Sequence, residues 1–329
     1  MTLFVEQVTI RPYFIAALAI ISLFLMSIIA ITAFIFALIT IFIYTKFFVR
    51  TNPNKWKRDS TSGLDPEQKR VYLEGKEYIK KYLDLIEQVD IISDGLHLFG
   101  EYLNFNSNKT VIIIPGRNDG IVFSYYFAKP YVDEGFNVLF IDSRAHGLSE
   151  GKYISVGLKE YKDIQNWARF LKEKYNDETV VIHGLSIGGA TGIYALSLDE
   201  VPSNIKGIVV EGLYTNFYET FKNHLIEIRK PVFPFAQLTM ILFYLHSSIR
   251  PRKYGPINYI EDIECPILMI QSNDDIYSLP LKAGELYEKC GSFKKEIVYF
   301  DDAPHSLIRL YNKDEYDLVI KHFLRKNFK

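Results

Sequence analysis

Thr179-Val180-Val181-Ile182-His183-Gly184-Leu185-Ser186-Ile187-Gly188-Gly189-Ala190 is the stretch on which the reading of this chain turns. Four β-branched residues in succession predict a buried strand, and the small residues Gly188, Gly189, Ala190 and Gly192 open a helix running through Leu196. The bend between them carries Gly184-x-Ser186-x-Gly188. A serine on a sharp strand-to-helix turn projects its hydroxyl above the sheet, and glycines two residues to either side let the backbones approach closely. Ser186 is therefore the candidate nucleophile.

Outward from this stretch, short apolar strands alternate with helices of about a dozen residues, the signature of a parallel sheet covered on both faces. Upstream, Val89, Ile91 and Ile92 lead into Ser93-Asp94-Gly95, and Leu96 to Leu103 follow, predicting a hairpin that turns at Asp94-Gly95. Val111 to Ile114 is a strand ending in Pro115-Gly116-Arg117-Asn118-Asp119-Gly120, and a helix is expected from about Ile121 to Asp133. The strand Val138 to Asp142 ends in Ser143-Arg144-Ala145-His146-Gly147-Leu148-Ser149-Glu150-Gly151, where a structural role suits His146. Tyr161 to Tyr175 then carries a helical stripe. Downstream, Ile205 to Val210 is a strand closed by Glu211-Gly212. Phe217, Phe221, Leu225 and Ile228 form an amphipathic helix, Pro231 and Pro234 break it, and Leu238 to Tyr244 is apolar and aromatic. Residues from about 213 to 257 read as a small helical cap over the serine, a source of apolar pocket walls. Pro266 to Ile270 resumes the sheet before Gln271-Ser272-Asn273-Asp274-Asp275. A helix from Pro280 to Cys290, a strand from Glu296 to Phe300, the loop Asp301-Asp302-Ala303-Pro304-His305 and an amphipathic helix complete the chain.

Thirty-eight basic against 39 acidic residues leave a formal net charge of −1 in 329 residues, so the composition is that of an ordinary folded protein and no basic patch points to nucleic acid. Cys265 and Cys290 are too few for a disulfide framework and stand in no metal-ligand spacing. Both read as buried thiols, and neither a metal nor a cofactor is expected.

From Phe14 to Tyr44 the chain carries no charge. At ~1.5 Å per residue, a helix over that span exceeds the ~30 Å hydrocarbon core, so it crosses a bilayer once with tilt. It is too long for a signal-peptide core, and no Gly, Pro or Asn offers a hairpin turn. A retained single-pass anchor over residues 1–50 is the expectation, followed by a linker and helix over 51–88, the helix starting at Pro66, and a catalytic domain over 89–329. Ahead of the span Glu6 offsets Arg11, whereas Lys46, Arg50, Lys55, Lys57 and Arg58 follow it before Asp59, which places the catalytic domain in the cytoplasm by the positive-inside rule.

A serine hydroxyl needs a base to take its proton, and the imidazole that does so needs a carboxylate to hold its tautomer. The order Ser186, an acid after the next-to-last strand, and His305 after the last fits this motif. Asp274 and Asp275 both stand at the acid position, with Asp275 in the better register. The developing oxyanion calls for fixed donors. The backbone N–H groups of Ile187, after the nucleophile, and of Arg117, in the earlier loop, are the candidates.

Five segments, GRNDG, DSRAHGLSEG, GLSIGG, SNDD and APHS, resemble in family order the oxyanion loop, D-x-R-x-x-G-x-S loop, nucleophile elbow, acid loop and histidine loop of the α/β-hydrolase family. The resemblance runs from about Val89 to the C-terminus. It is similar in particular to small membrane-anchored hydrolases with a modest cap, and to the catalytic domain of the prolyl oligopeptidase class without a propeller. Pro115-Gly116 stands where family members usually have His-Gly, and Gln271-Ser272 where they have Gly or His-Gly. The resemblance implies a mostly parallel sheet with helices on both faces, preceded here by one transmembrane helix.

The expected function is a membrane-anchored serine hydrolase that cleaves an acyl or lipid-like ester through an acyl-enzyme intermediate. A serine peptidase or amidase would use the same three residues. A membrane-tethered interaction domain without turnover is the reading from another class.

Overall fold

A computed structural model describes residues 3–57 and 60–328, with side chains from Tyr13 onward, so Arg58, Asp59 and the side chains of Glu6 and Arg11 lie outside the described residues. The first element, α1 (Leu3–Phe48), is one unbroken helix. Its segment Tyr13–Phe48 is long and apolar enough to cross a membrane, with a mean hydropathy of 2.9 in its most apolar window. Side chains such as Phe24 and Phe34 stand bare on it, whereas the last turns are not free: Ile43, Phe47 and Phe48 are buried in the core of the following domain.

The end of the expected anchor segment and part of the stretch read as a linker are tied to the domain that follows. Val49 bridges Tyr153, the Arg50 guanidinium donates to the carbonyls of Ser149 and Gly147, and Lys55 Nζ caps the end of α1 through the carbonyls of Thr45 and Val49. Trp56 is buried and stacks on His146, 4.9 Å between ring centroids. Asp65 then caps α2 (Pro66–Ile79) by accepting from Gln68 N, with Pro66 in the first turn where no N–H is needed. Val71, Tyr72 and Ile79 bury α2 against the sheet-bearing domain, and Lys313 pairs with Glu74 at 2.8 Å. The helix stops earlier than its apolar spacing suggests: a 3₁₀ turn covers Lys80–Leu85 and β1 (Ile86–Ser93) begins at once.

β1 pairs antiparallel with β2 (Leu96–Leu103) through the Asp94-Gly95 turn, where both residues have positive φ as a tight hairpin requires. β2 pairs antiparallel with β4 (Asn137–Ile141), and β3 (Lys109–Ile114) pairs parallel with both β4 and β5 (Thr179–Leu185). β6 (Ile205–Glu211), β7 (Ile267–Ser272) and β8 (Lys295–Phe300) continue the parallel set, giving the order β1-β2-β4-β3-β5-β6-β7-β8. The quoted stretch is thus a central strand, and β3 to β7 are near-continuous apolar runs because both their faces are covered.

The expected helix over Ile121 to Asp133 is broken into α3 (Ile121–Ser124), a 3₁₀ turn and α4 (Lys129–Asp133). Pro130 has no N–H to give to the Tyr126 carbonyl, and the buried guanidinium of Arg309, held by Asp317, donates there instead. α5 (Tyr161–Tyr175) and α6 (Ile187–Ser197) follow, then the cap helices α7 (Phe217–Glu227) and α8 (Phe235–Ser247). α9 (Pro280–Lys289), α10 (Ile308–Tyr311) and α11 (Lys313–Asn327) complete the layers. Of the two cysteines, both free, Cys290 is buried and Cys265, on the run into β7, is partly buried against the core.

The loop after β4 is stitched, not open. Arg144 grips Asp163 with two hydrogen bonds of 2.6 and 2.7 Å and reaches Asp94 at 3.0 Å, while Asp142 accepts from the backbone of Ile121 and Leu148. Burial pushes His146 down to about 4, so its ring is neutral, bonded to the Arg144 carbonyl and stacked on Trp56. Arg144→Met should destabilise the domain by about 3–5 kcal/mol, because it strands the carboxylate of Asp163 without its buried partner. A thermal melt of the detergent-solubilised chain measures the loss, and a melt within 1 °C of wild type would refute it.

Candidate active site

Each sequence-derived site residue lies at the C-terminal edge of the sheet, where open α/β sheets gather ligand contacts. Ser186 takes φ 53° and ψ −108°, a conformation that costs about 1–3 kcal/mol for a residue with a side chain. Its surroundings over-determine it. Ser186 N donates to the Glu211 carbonyl at 2.8 Å, tying the bend to β6. A Cβ on Gly184 would lie 2.4 Å from the backbone of Gly188 and Gly189, and one on Gly188 would lie 2.3 Å from the Ile114 carbonyl. Only glycine lets the strand, the turn and β3 approach so closely. Ile187 is the first residue of α6, whose leading N–H groups have no acceptor within the helix.

The acid loop distinguishes the two aspartates. Asp275 is buried, and its Oδ1 accepts from Tyr277 N and Ser278 N, both at 2.8 Å, which leaves Oδ2 to meet His305 Nδ1 at 2.6 Å. Asp274 points the other way and accepts from Asp302 N at 2.8 Å, a loop-to-loop clasp at the surface. Ser272 Oγ donates to the Ala303 carbonyl and fastens the acid loop to the histidine loop a second time. Burial by itself would lower His305, but the charge and hydrogen bond of Asp275 outweigh it, with Glu211 and Asp119 adding, so its pKa is raised above the ordinary histidine value.

Ser186 and His305 open onto one cavity of about 290 Å³, together with Gly116, Arg117, Asn118 and Ile187. Arg117 and Ile187, the proposed main-chain donors, line the same cavity as the serine. The Arg117 side chain is not idle: its guanidinium lies 4.8 Å over the ring of Phe47.

Four features went unread in the sequence. Phe47, from the end of α1, is a wall of this cavity and packs edge-on against Phe221 of the cap, with Phe217 lining the same space. His224 lines it too, pushed down to about 4 by burial and by Arg117 and Lys46, so it is neutral where His305 is poised to hold a proton. It lies on the Phe217-Phe221-Leu225 face, and helical spacing could have flagged it. Tyr277 packs edge-on against His305 at 5.3 Å. Beneath the site, burial pushes Glu211 up to about 7, and Tyr316 Oη donates to Glu211 Oε2 at 2.6 Å. A carboxylate directly after the apolar run Ile208 to Val210 was the available signal for Glu211.

The chain's sequence matches the alpha/beta hydrolase fold family over residues 109–227. It is 29% identical to the uncharacterized protein YqkD of Bacillus subtilis over 66% of this chain and 71% of that protein. It is 26% identical to an uncharacterized membrane protein of Saccharomyces cerevisiae, YNL320W, over 67% of this chain and 72% of that one. Among solved structures, the Pyrococcus furiosus esterase Pf2001 superposes with a TM-score of 0.63 at 25% identity, covering 74% of this chain and 92% of the esterase. The acylaminoacyl peptidase of Pyrococcus horikoshii shares the fold, with a TM-score of 0.57 at 17% identity over 77% of this chain and 44% of the peptidase.

Proposed function

This chain is an α/β hydrolase, and from that premise we propose that it is a membrane-anchored serine hydrolase that cleaves an acyl or lipid-like ester. The observation that carries the reading is a strained Ser186 sharing one cavity with a His305 that is already paired to a buried Asp275. In this mechanism His305 takes the Ser186 proton as Oγ adds to the ester carbonyl, and Asp275 stabilises the imidazolium. The oxyanion is held by the N–H groups of Ile187 and Arg117, each such donor being worth about 3–4 kcal/mol. His305 then protonates the departing alcohol, and water releases the acid from the acyl-enzyme. The ester preference draws support from the rings of Phe47, Phe217 and Phe221, which offer an apolar wall to an acyl chain, and from the likeness to an esterase.

Membrane anchoring through α1 draws support from a bare apolar surface far beyond the few hundred Å² that soluble monomers expose, and from a relative described as a membrane protein. The charges after the span orient the catalytic domain to the cytoplasm, and protease protection in sealed vesicles tests that side. Relative rates on acyl esters of rising chain length, set against aminoacyl amides, test the substrate class. Faster turnover of the amides would move the assignment to a peptidase, which uses the same three groups.

A further inference from the structure

The cap helix α8 lies along the last turns of α1. Phe235 meets Phe36 edge-on with ring centroids 5.2 Å apart, Phe243 meets Phe48 at 4.9 Å, and His246 stands 6.4 Å from Tyr44. At ~1.5 Å of rise per residue, Phe36 lies roughly 15 Å along the axis from Lys46, the first charge after the span. The start of α8 therefore sits beside the apolar segment of α1, on its membrane side.

α8 is apolar all round. Phe235, Thr239, Met240 and Phe243 face the core, while Leu238, Ile241 and Leu245 share the opposite face at helical spacing. On that outer side Leu245 is 71% exposed and Ile241 53%, and Phe233 in the turn before α8 is 79% exposed. A helix with two apolar faces belongs in a core or in lipid, and on one of these faces Ile241 and Leu245 are left exposed by the described residues. Thirteen residues are too short to span a bilayer, so a helix set alongside α1 reaches only partway into one leaflet. No residue from Pro231 to Leu245 carries a charge, yet exposed Arg229 and Lys230 precede the run and exposed Arg250, Arg252 and Lys253 follow it. Apolar in the middle and basic at both ends is the complement of anionic headgroups over acyl chains.

We propose that α8 and the α7–α8 turn are a second membrane contact. The helix runs beside the end of α1, so that the α7–α8 turn with Phe233 dips into the acyl region of the leaflet that α1 enters on the domain side, and Ile241 and Leu245 lie toward its headgroups. This rests on the anchoring and hydrolase readings above and deepens them. The cap that walls the Ser186 cavity is then itself seated in the substrate's phase, and a lipid ester reaches Phe47 and Phe217 without first crossing water.

The test places a reporter at the tip of the cap in the full-length chain. Phe233→Trp is reconstituted in phosphatidylcholine–phosphatidylglycerol vesicles with and without acyl-chain-brominated phosphatidylcholine, over the constant background of buried Trp56 and Trp167. The added emission should fall roughly twofold or more in the brominated vesicles, as expected for a side chain at the acyl boundary. Phe293→Trp, fully exposed at the opposite edge of the sheet before β8, should not be quenched. Quenching of Phe233→Trp no greater than that of Phe293→Trp overturns the proposal. So does blue-shifted but unquenched emission, which would mean that a second copy or another protein covers the face. Fluorophosphonate labelling of the same vesicles separates the two readings. Labelling without quenching keeps the hydrolase and removes the second contact, and quenching without labelling does the reverse.

Discussion

Ser186→Ala is expected to abolish fluorophosphonate labelling and to lower kcat for ester hydrolysis by on the order of 10⁶-fold. The substitution deletes one oxygen from a cavity wall and keeps Cβ, so the positive-φ turn, the Ser186 N to Glu211 carbonyl bond and the close packing of Gly184 on Gly188 all persist. An unchanged melting temperature beside the lost activity would assign the loss to chemistry. His305→Ala should cost about as much, and the double variant little more, since the base acts only through the nucleophile. Labelling that survives Ser186→Ala would remove the serine from the mechanism, whereas a wild-type chain that takes no label would leave the interaction-domain reading standing.

What the sequence made legible is what local chemistry decides. The Asp94-Gly95 turn, the alternation of strands with helices, and the glycines around Ser186 each follow from one short segment. The order of the loops then follows from chain order, because every parallel strand delivers its C-terminal loop to the same edge. The illegible part consists of side chains that meet across long separations. Nothing near Pro130 announces that Arg309 will supply its missing hydrogen bond and so split the expected helix. Nothing near Lys46 announces that Phe47 will wall a cavity with Phe221. The linker expectation failed in part for the same reason. Arg50 and Trp56 look solvated in a polar stretch, yet they find acceptors and a ring in the His146–Ser149 loop almost a hundred residues away. The two adjacent aspartates are the sharpest case, because a single step along the backbone turns one carboxylate inward to His305 and the other outward to Asp302.

That difference yields the second large effect. Asp275→Asn should lower kcat by about 10⁴-fold, since an amide in that place favours the wrong tautomer of the base and cannot stabilise the imidazolium. It should also move the pH profile. His305 works as a base only when neutral, and its pKa is raised because the Asp275 charge and hydrogen bond overcome burial. Wild-type kcat/KM should therefore rise with pH through a midpoint above the ~6.5 of an ordinary histidine. Without the carboxylate the raising causes shrink while burial remains, so the residual activity of Asp275→Asn should rise through a lower midpoint. Stability carries the same signature with its own sign. A histidine whose folded pKa is raised contributes stability that is fully present below the unfolded value and is lost as pH rises through the folded one. The melting temperature of wild type should fall across that window more than that of Asp275→Asn. Asp274→Asn should leave both the plateau and the midpoint where they are, because its carboxylate turns away from the base and accepts from the Asp302 N–H. Equal losses at the two positions, or an acid limb that Asp275→Asn does not move, would mean that the 2.6 Å contact holds the loop together without tuning the base.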